Sequence, residues 1–128
     1  MAAQCDVLVS CCPFTPESHR IVSGDVIGRM KPTSYFINVS RAKVVDEETL
    51  IVALQAKRLA GAGLDVTYVE PCPPDNPLWG LENVILTSHS AGSSQFVRPR
   101  AMQLFIDNLH RYVNGEPLQN VVDKQKGY

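Results

Sequence analysis

Residues 34–66 read SYFINVSRAKVVDEETLIVALQAKRLAGAGLDV, and this stretch decides the fold. It opens on Ser34-Tyr35-Phe36-Ile37-Asn38-Val39, an apolar run too short for a helix and rich in the residue types that favour strands. Asp46 then stands where a helix N-cap belongs, and Glu47 and Glu48 are favoured at the positive end of the helix dipole. Leu50, Leu54 and Lys57 or Arg58 carry that helix toward Gly61. Ala62-Gly63-Leu64-Asp65-Val66 closes the stretch as a tight strand whose glycines permit close backbone approach.

The same alternation continues on both sides. Asp6 to Cys12 reads as a strand closed by Pro13, which cannot donate to a ladder. Ser23 can cap a short helix to about Met30, with Val26, Ile27 and Met30 on one face and Pro32 beyond as a stop. Thr67 to Leu81 is rich in Pro and polar residues and reads as a long loop of the kind that carries function. Asn83 to Thr87 is a fourth strand. Met102, Phe105, Ile106, Leu109, Tyr112 and Val113 then share one face of a helix. Asn114-Gly115 ends it, and Pro99 marks its first turn because Arg98 before it is biased toward extended geometry. Strands alternating with helices predict an α/β fold, a parallel sheet covered on both faces.

The composition agrees with one folded domain. The chain has 128 residues, 45% hydrophobic and 20% charged, far from the balance of disordered chains. A formal net charge of −1 argues against a nucleic-acid partner. No window is apolar over the ~20 residues of a membrane span, and Asp6 stands where a signal peptide would carry basic residues, so a soluble, cytoplasmic chain with no membrane partner is expected. Cys5, Cys11, Cys12 and Cys72 lack C-x-x-C spacing, and three of them sit in or beside an apolar run where Cys behaves as a small buried hydrophobe. No metal site is expected.

In a parallel sheet the ligand crevice lies outside the carboxyl ends of the strands. Four groups of residues fall there: Pro13 to Thr15, Ser40 with Arg41, Asp65 to Glu70, and Ser88 to Ser90. Arg grips a carboxylate in two places with its planar fork, which Lys cannot do, and Arg41 is placed for it. His is the usual proton donor near neutral pH, and a neighbouring carboxylate can orient its ring; His89 with Glu70 can form that pair. Taken singly, an Arg past a strand is usually a solvated charge, a strand-end His a capping group, and Asp65 a strand-end cap. His19 and His110 read as solvated.

Taken in order, Asn38-Val39-Ser40-Arg41-Ala42-Lys43-Val44-Val45-Asp46-Glu47, Gly61-Ala62-Gly63-Leu64-Asp65-Val66, Glu70-Pro71, Asn76-Pro77-Leu78-Trp79, Asn83 to His89 and Gly92 resemble the D-isomer-specific 2-hydroxyacid dehydrogenases. The closing Gly115-Glu116-Pro117-Leu118 and Asn120 to Lys124 are similar to the glyoxylate and hydroxypyruvate reductase branch. The resemblance implies a Rossmann-like parallel sheet with flanking helices, the second half of a dinucleotide-binding domain over 1–94. Residues 95–128 would be a C-terminal helix and tail that pack on a substrate domain. It further implies that Arg41 binds the substrate carboxylate and polarises the 2-keto oxygen, and that His89, held by Glu70, delivers the proton. NAD or NADP would be the cofactor, contacted through Cys12, Pro13, Thr15, Val39, Ser40, Arg41, Asp65, His89 and Gly92. Asp65 would meet the nicotinamide carboxamide. A small 2-keto or 2-hydroxy acid is the implied substrate, and a homodimer the implied full-length assembly.

Ala42 and Ser88 depart from that family's usual Gly and Pro; Ala42 then needs φ below zero, and Ser88 loosens the approach to His89. No G-x-G-x-x-G spacing occurs, and Val66 takes the third glycine's place after Gly61 and Gly63. The chain therefore looks like the C-terminal portion of an enzyme, expected by itself to hold a dinucleotide loosely. Two other readings remain at this level: a non-enzymatic NAD-sensing or corepressor-like module, and an inactive truncated chain.

Overall fold

Four short strands form one parallel sheet in the order β1 (Val7–Ser10), β2 (Tyr35–Asn38), β3 (Gly61–Leu64) and β4 (Val84–Leu86). The computed structural model describes residues 1–128, which divide into two units, Met1–Ala91 and Gly92–Tyr128. The register sets Leu8, Phe36, Ala62 and Val84 in one row and Ser10, Asn38, Leu64 and Leu86 in another, all on the same face. Onto that face pack Ile27, Met30, Leu50 and Leu54, so Phe36 and Leu50 reach 0% exposure. Each such side chain contributes about 1.5–3 kcal/mol by leaving water. Gly61 is required: a Cβ there would stand 2.5 Å from the carbonyl oxygen of Asn83, the residue that leads into β4.

The opposite face is not covered within this unit. Val7 and Val9 on β1, Tyr35 on β2 and Ile85 on β4 are all exposed, Ile85 at 71%. The expectation of a sheet covered on both faces is thus corrected, and topology gives the reason. Strands that follow one another in sequence order, each joined by a right-handed crossover, send every connecting helix to the same side. The helices α1 (Gly24–Gly28) and α2 (Glu47–Gln55) accordingly share one layer. Between β3 and β4 no α-helix intervenes, but the long loop carries a 3₁₀ turn, Pro77–Gly80, that sequence reading did not foresee. Asn76 caps it by accepting from the Leu78 amide, which delivers Leu78 to the core.

The helix starts follow their caps. The Ser23 side chain accepts from the Val26 amide, and Asp46 accepts from the Thr49 amide. The end of α2 comes earlier than expected, at Gln55 rather than near Gly61. Lys57 turns left-handed at φ 52°, and the amides of Lys57 and Arg58 bond back to Leu54 and Ala53, a C-terminal motif that terminates the helix. Cys11 is exposed, and Cys5 and Cys12 only half-buried, because they flank a strand whose outer face is bare.

In the second unit, α3 (Val97–Val113) begins before Pro99, so Arg98 is helical rather than extended. A proline in the first turn loses no intrahelical bond there, which accommodates the pair. Gly115 at φ 67° ends α3, with the Gly115 and Glu116 amides returning to Tyr112 and Arg111. No residue of α3 is buried. No helix of the chain is long and apolar enough to cross a membrane.

Candidate active site

The carboxyl ends of β1 and β2 are locked together by polar side chains. Ser10 and Asn38 are register partners at the last ladder position. Ser40 donates from both its amide and its hydroxyl to the Asn38 side-chain oxygen, at 3.0 and 2.9 Å, and the hydroxyls of Ser10 and Ser40 lie 3.0 Å apart. The Asn38 amide nitrogen donates to the Arg41 carbonyl at 3.1 Å. The backbone that launches Arg41 is therefore fixed in a buried network, while the guanidinium itself, braced by one bond to the Ser40 carbonyl at 2.7 Å, stays exposed. Ala42 is absent from the positive-φ residues, so it fits its place in the short turn after Arg41 without strain.

Asp65 leaves the end of β3 and is buried. Its Oδ1 accepts from the Thr87 hydroxyl and from the Ser90 amide at 2.9 Å, and its Oδ2 accepts from the Ala91 amide at 2.8 Å. The His89 amide donates to the Asp65 carbonyl at 2.9 Å. Loss of water alone raises the Asp65 carboxyl, but the bonds from Thr87, Ala91 and Ser90, with His89 nearby, outweigh it and hold the group below the ordinary carboxylate range. Asp65 thus organises the loop after β4 around its own carboxylate. His89 sits there at φ 52°, a left-handed conformation uncommon for a non-glycine residue and maintained by these surrounding bonds.

The His89 Nδ1 lies 2.8 Å from Glu70 Oε2, and Glu70 Oε1 accepts from the Thr67 amide at 3.2 Å. An ionised carboxylate only accepts, so Nδ1 carries the proton in this pair and Nε2 is left without a protein partner. Arg41, Glu70 and His89 line one cleft of ≈ 430 Å³ together with Phe14 and Tyr68. Glu70 and His89 also border a second cleft of ≈ 740 Å³, walled by Asp65, Pro71, Cys72, Trp79 and Leu86. Arg41, Asp65 and His89 all follow the carboxyl ends of their strands, on the edge where the sequence places them.

The loop after β1 is shaped by Ser18, whose hydroxyl accepts from the Thr15 amide at 2.7 Å and donates to the Pro13 carbonyl at 2.8 Å. Thr15 and Cys12 are half-buried, Pro13 and Val39 exposed. Gly92 belongs to the second unit. His19 and His110 are both exposed. Sequence reasoning assigns no role to Ser10, Asn38, Thr67 or Thr87. Their signal is a polar residue at or just past the end of an apolar strand; burial obliges Ser10, Asn38 and Thr67 to find partners, while Thr87 is exposed and bonds Asp65 from there.

These residues fit the nicotinamide end of a dinucleotide. Three donors leave one of the roughly four lone-pair positions of the Asp65 carboxylate for a carboxamide N–H, and Val39 offers exposed apolar surface. For the pyrophosphate end the sequence has no glycine-rich turn.

Residues 1–91 match the family model described as D-isomer specific 2-hydroxyacid dehydrogenase, NAD binding domain. The chain is similar to a glyoxylate reductase of Korarchaeum cryptofilum, 42% identical over 113 residues, which is 88% of this chain and 34% of that protein. Among solved structures it is similar to a D-isomer specific 2-hydroxyacid dehydrogenase of Xanthobacter autotrophicus in complex with NADPH and MES, at 37% identity and a TM-score of 0.90, covering 99% of this chain and 52% of that one. An NADPH-dependent glyoxylate/hydroxypyruvate reductase of Sinorhizobium meliloti, in complex with NADP and sulfate, superposes with a TM-score of 0.88 at 32% identity, over 99% of this chain and 41% of that one. The chain spans roughly a third to two fifths of the length of the curated relatives it matches.

Proposed function

The chain belongs to the D-isomer specific 2-hydroxyacid dehydrogenase family, and from that premise we propose that it supplies the catalytic residues of a nicotinamide-dependent reductase of a small 2-keto acid, glyoxylate or hydroxypyruvate. The observation that carries this reading is one cleft lined by the exposed guanidinium of Arg41 and by an imidazole held at Nδ1 by Glu70. The guanidinium binds the substrate carboxylate and draws electron density from the adjacent keto oxygen. His89 donates its Nε2 proton to that oxygen as the carbonyl carbon is reduced, and Glu70 stabilises the positive charge the ring carries beforehand. The cofactor, NAD or NADP, supplies the hydride when bound. Cys12, Pro13 and Thr15 would belong to the loop that lies along the cofactor, Val39, Ser40 and Gly92 would offer backbone near the nicotinamide, and Asp65 would meet its carboxamide.

The same reading takes residues 1–94 as part of the dinucleotide-binding domain and 95–128 as a helix and tail that pack on a substrate domain. It also takes the full-length assembly as a cytoplasmic homodimer, binding neither nucleic acid nor membrane. The net charge of −1 supports the exclusion of nucleic acid.

The direct test is a chimera in which the matched 113 residues of this chain replace their counterparts in the Korarchaeum glyoxylate reductase, which supplies the rest of that protein. The chimera should oxidise NADH or NADPH in the presence of glyoxylate or hydroxypyruvate, and His89→Gln should lower kcat about 10²–10⁴-fold. Arg41→Lys should chiefly raise KM for the keto acid. A folded chimera with turnover unaffected by His89→Gln would remove His89 from the mechanism.

A further inference from the structure

We propose that Glu47 is a positioning residue for the proton-donor pair: by accepting the Tyr68 amide it fixes the turn that carries Glu70, and through Glu70 it sets which ring nitrogen of His89 faces substrate. The proposal rests on the reductase reading above and gives it a part on α2, remote in sequence from Glu70 and His89.

Four observations support it. None of the residues from Thr67 to Cys72 makes a backbone-to-backbone hydrogen bond, so the turn has no ladder to hold it. Within the turn, Thr67 donates its hydroxyl to the Val69 carbonyl at 2.8 Å and its amide to Glu70 Oε1 at 3.2 Å, which makes Thr67 to Glu70 one closed piece. That piece is fastened to the body of the unit by the Tyr68 amide, which donates to Glu47 Oε2 at 2.9 Å. The longer contacts of the Tyr68 hydroxyl, to the Val45 carbonyl at 3.4 Å and from Arg20 at 3.5 Å, support the ring end only.

Glu47 also differs from its neighbour. An acidic residue in the first turn of a helix is ordinary, because it complements the dipole, and exposed Glu48 serves that purpose without touching the turn. Glu47 is half-buried against Tyr68, and loss of water raises its carboxyl above the usual range even though the Tyr68 amide lowers it. A carboxylate with no role beyond the dipole would face water, as Glu48 does.

The chain itself, labelled with ¹⁵N, provides a test that needs neither cofactor nor turnover. Amide exchange at Tyr68 and long-range ¹H–¹⁵N spectra of the His89 ring are recorded for four variants. In Glu47→Ala the Tyr68 amide should exchange about tenfold faster, and neutral His89 should shift from the Nδ1–H tautomer toward Nε2–H. Glu47→Asp keeps the charge and suits the helix terminus but is one methylene shorter, so it should show the same two changes in a chain that folds. Glu47→Gln retains an acceptor at the right reach and should preserve the wild-type tautomer. Glu48→Gln should change neither readout. A His89 tautomer unmoved in both Glu47→Ala and Glu47→Asp, or moved equally by Glu48→Gln, overturns the proposal. Loss of turnover in the chimera with the tautomer intact would instead count against the reductase reading.

Discussion

The helices α2 and α3 carry the same kind of apolar stripe and meet opposite fates. In α2, nine residues long, Leu50 and Leu54 are buried to 0% and 1% exposure. In α3, seventeen residues long, Phe105 is 63% exposed and Tyr112 75%. A 3.6-residue period states that a face is suited to burial, not what will bury it. For α2 the partner is the inner face of the sheet, delivered by the chain itself through a short crossover. The second unit offers α3 no such layer, and its stability rests on local bonds: the Gly115 terminus and the paired contacts between Asn108 and Gln119.

The largest test of this contrast is truncation of the two stripes. Leu50→Ala should cost about 2–5 kcal/mol of unfolding free energy, since it leaves a cavity in a fully packed site. Phe105→Ala should stay within about 0.5 kcal/mol in the same chain. Urea titrations of the 128-residue protein decide it; equal losses would mean that α3 is covered after all.

An intermediate effect distinguishes the carboxylates. Asp65→Asn turns an acceptor of three bonds into a group with donors of its own, and should cost about 1–3 kcal/mol. Asp107→Asn, on exposed α3 and paired only with Gln103, should be close to neutral. The pH dependence has a fixed sign. With the folded carboxyl of Asp65 lowered, its contribution is complete above the unfolded value of about 3.9 and is lost as pH falls through the folded one. Melting temperatures between pH 2 and pH 5 should therefore fall less steeply in Asp65→Asn than in the parent; parallel curves would contradict the assignment.

The smallest effect concerns the caps. Asp46→Ala should cost about 0.5–2 kcal/mol by orphaning the Thr49 amide at the start of α2. Phe96, the N-cap position of α3, supplies no side-chain cap, so Phe96→Asp should raise the helicity of the second unit slightly. Circular dichroism reads both, and a gain from Asp46→Ala would show that its cap is not limiting.

Much of this was legible because it is local. Ser23 and Asp46 announce their helices by capping chemistry, and Gly61 declares a close strand approach. Arg41, Asp65 and His89 reveal themselves by following apolar runs, since parallel strands bring every carboxyl end to one edge. Glu70 was legible as a partner for His89 from its place in the edge stretch Asp65 to Glu70, and its motif reinforced that reading, although the two lie nineteen positions apart and no period relates them. The early end of α2 was hidden by Lys57, an unusual residue for a left-handed terminus. The 3₁₀ turn at Pro77–Gly80 is too short to show a period.

By itself, then, the sequence determined the order of strands and helices, the side chains available for chemistry and the edge on which they gather, because short-range sterics and alternation of burial act residue by residue. Only the tertiary structure decided which sheet face is covered, since that follows from the handedness of successive crossovers and not from any strand's own pattern. It also decided that Asp65 holds the loop of His89, and that Glu47 reaches Tyr68. Those contacts join groups more than twenty residues apart, where loop closure and packing, acting on the whole chain at once, select the partner.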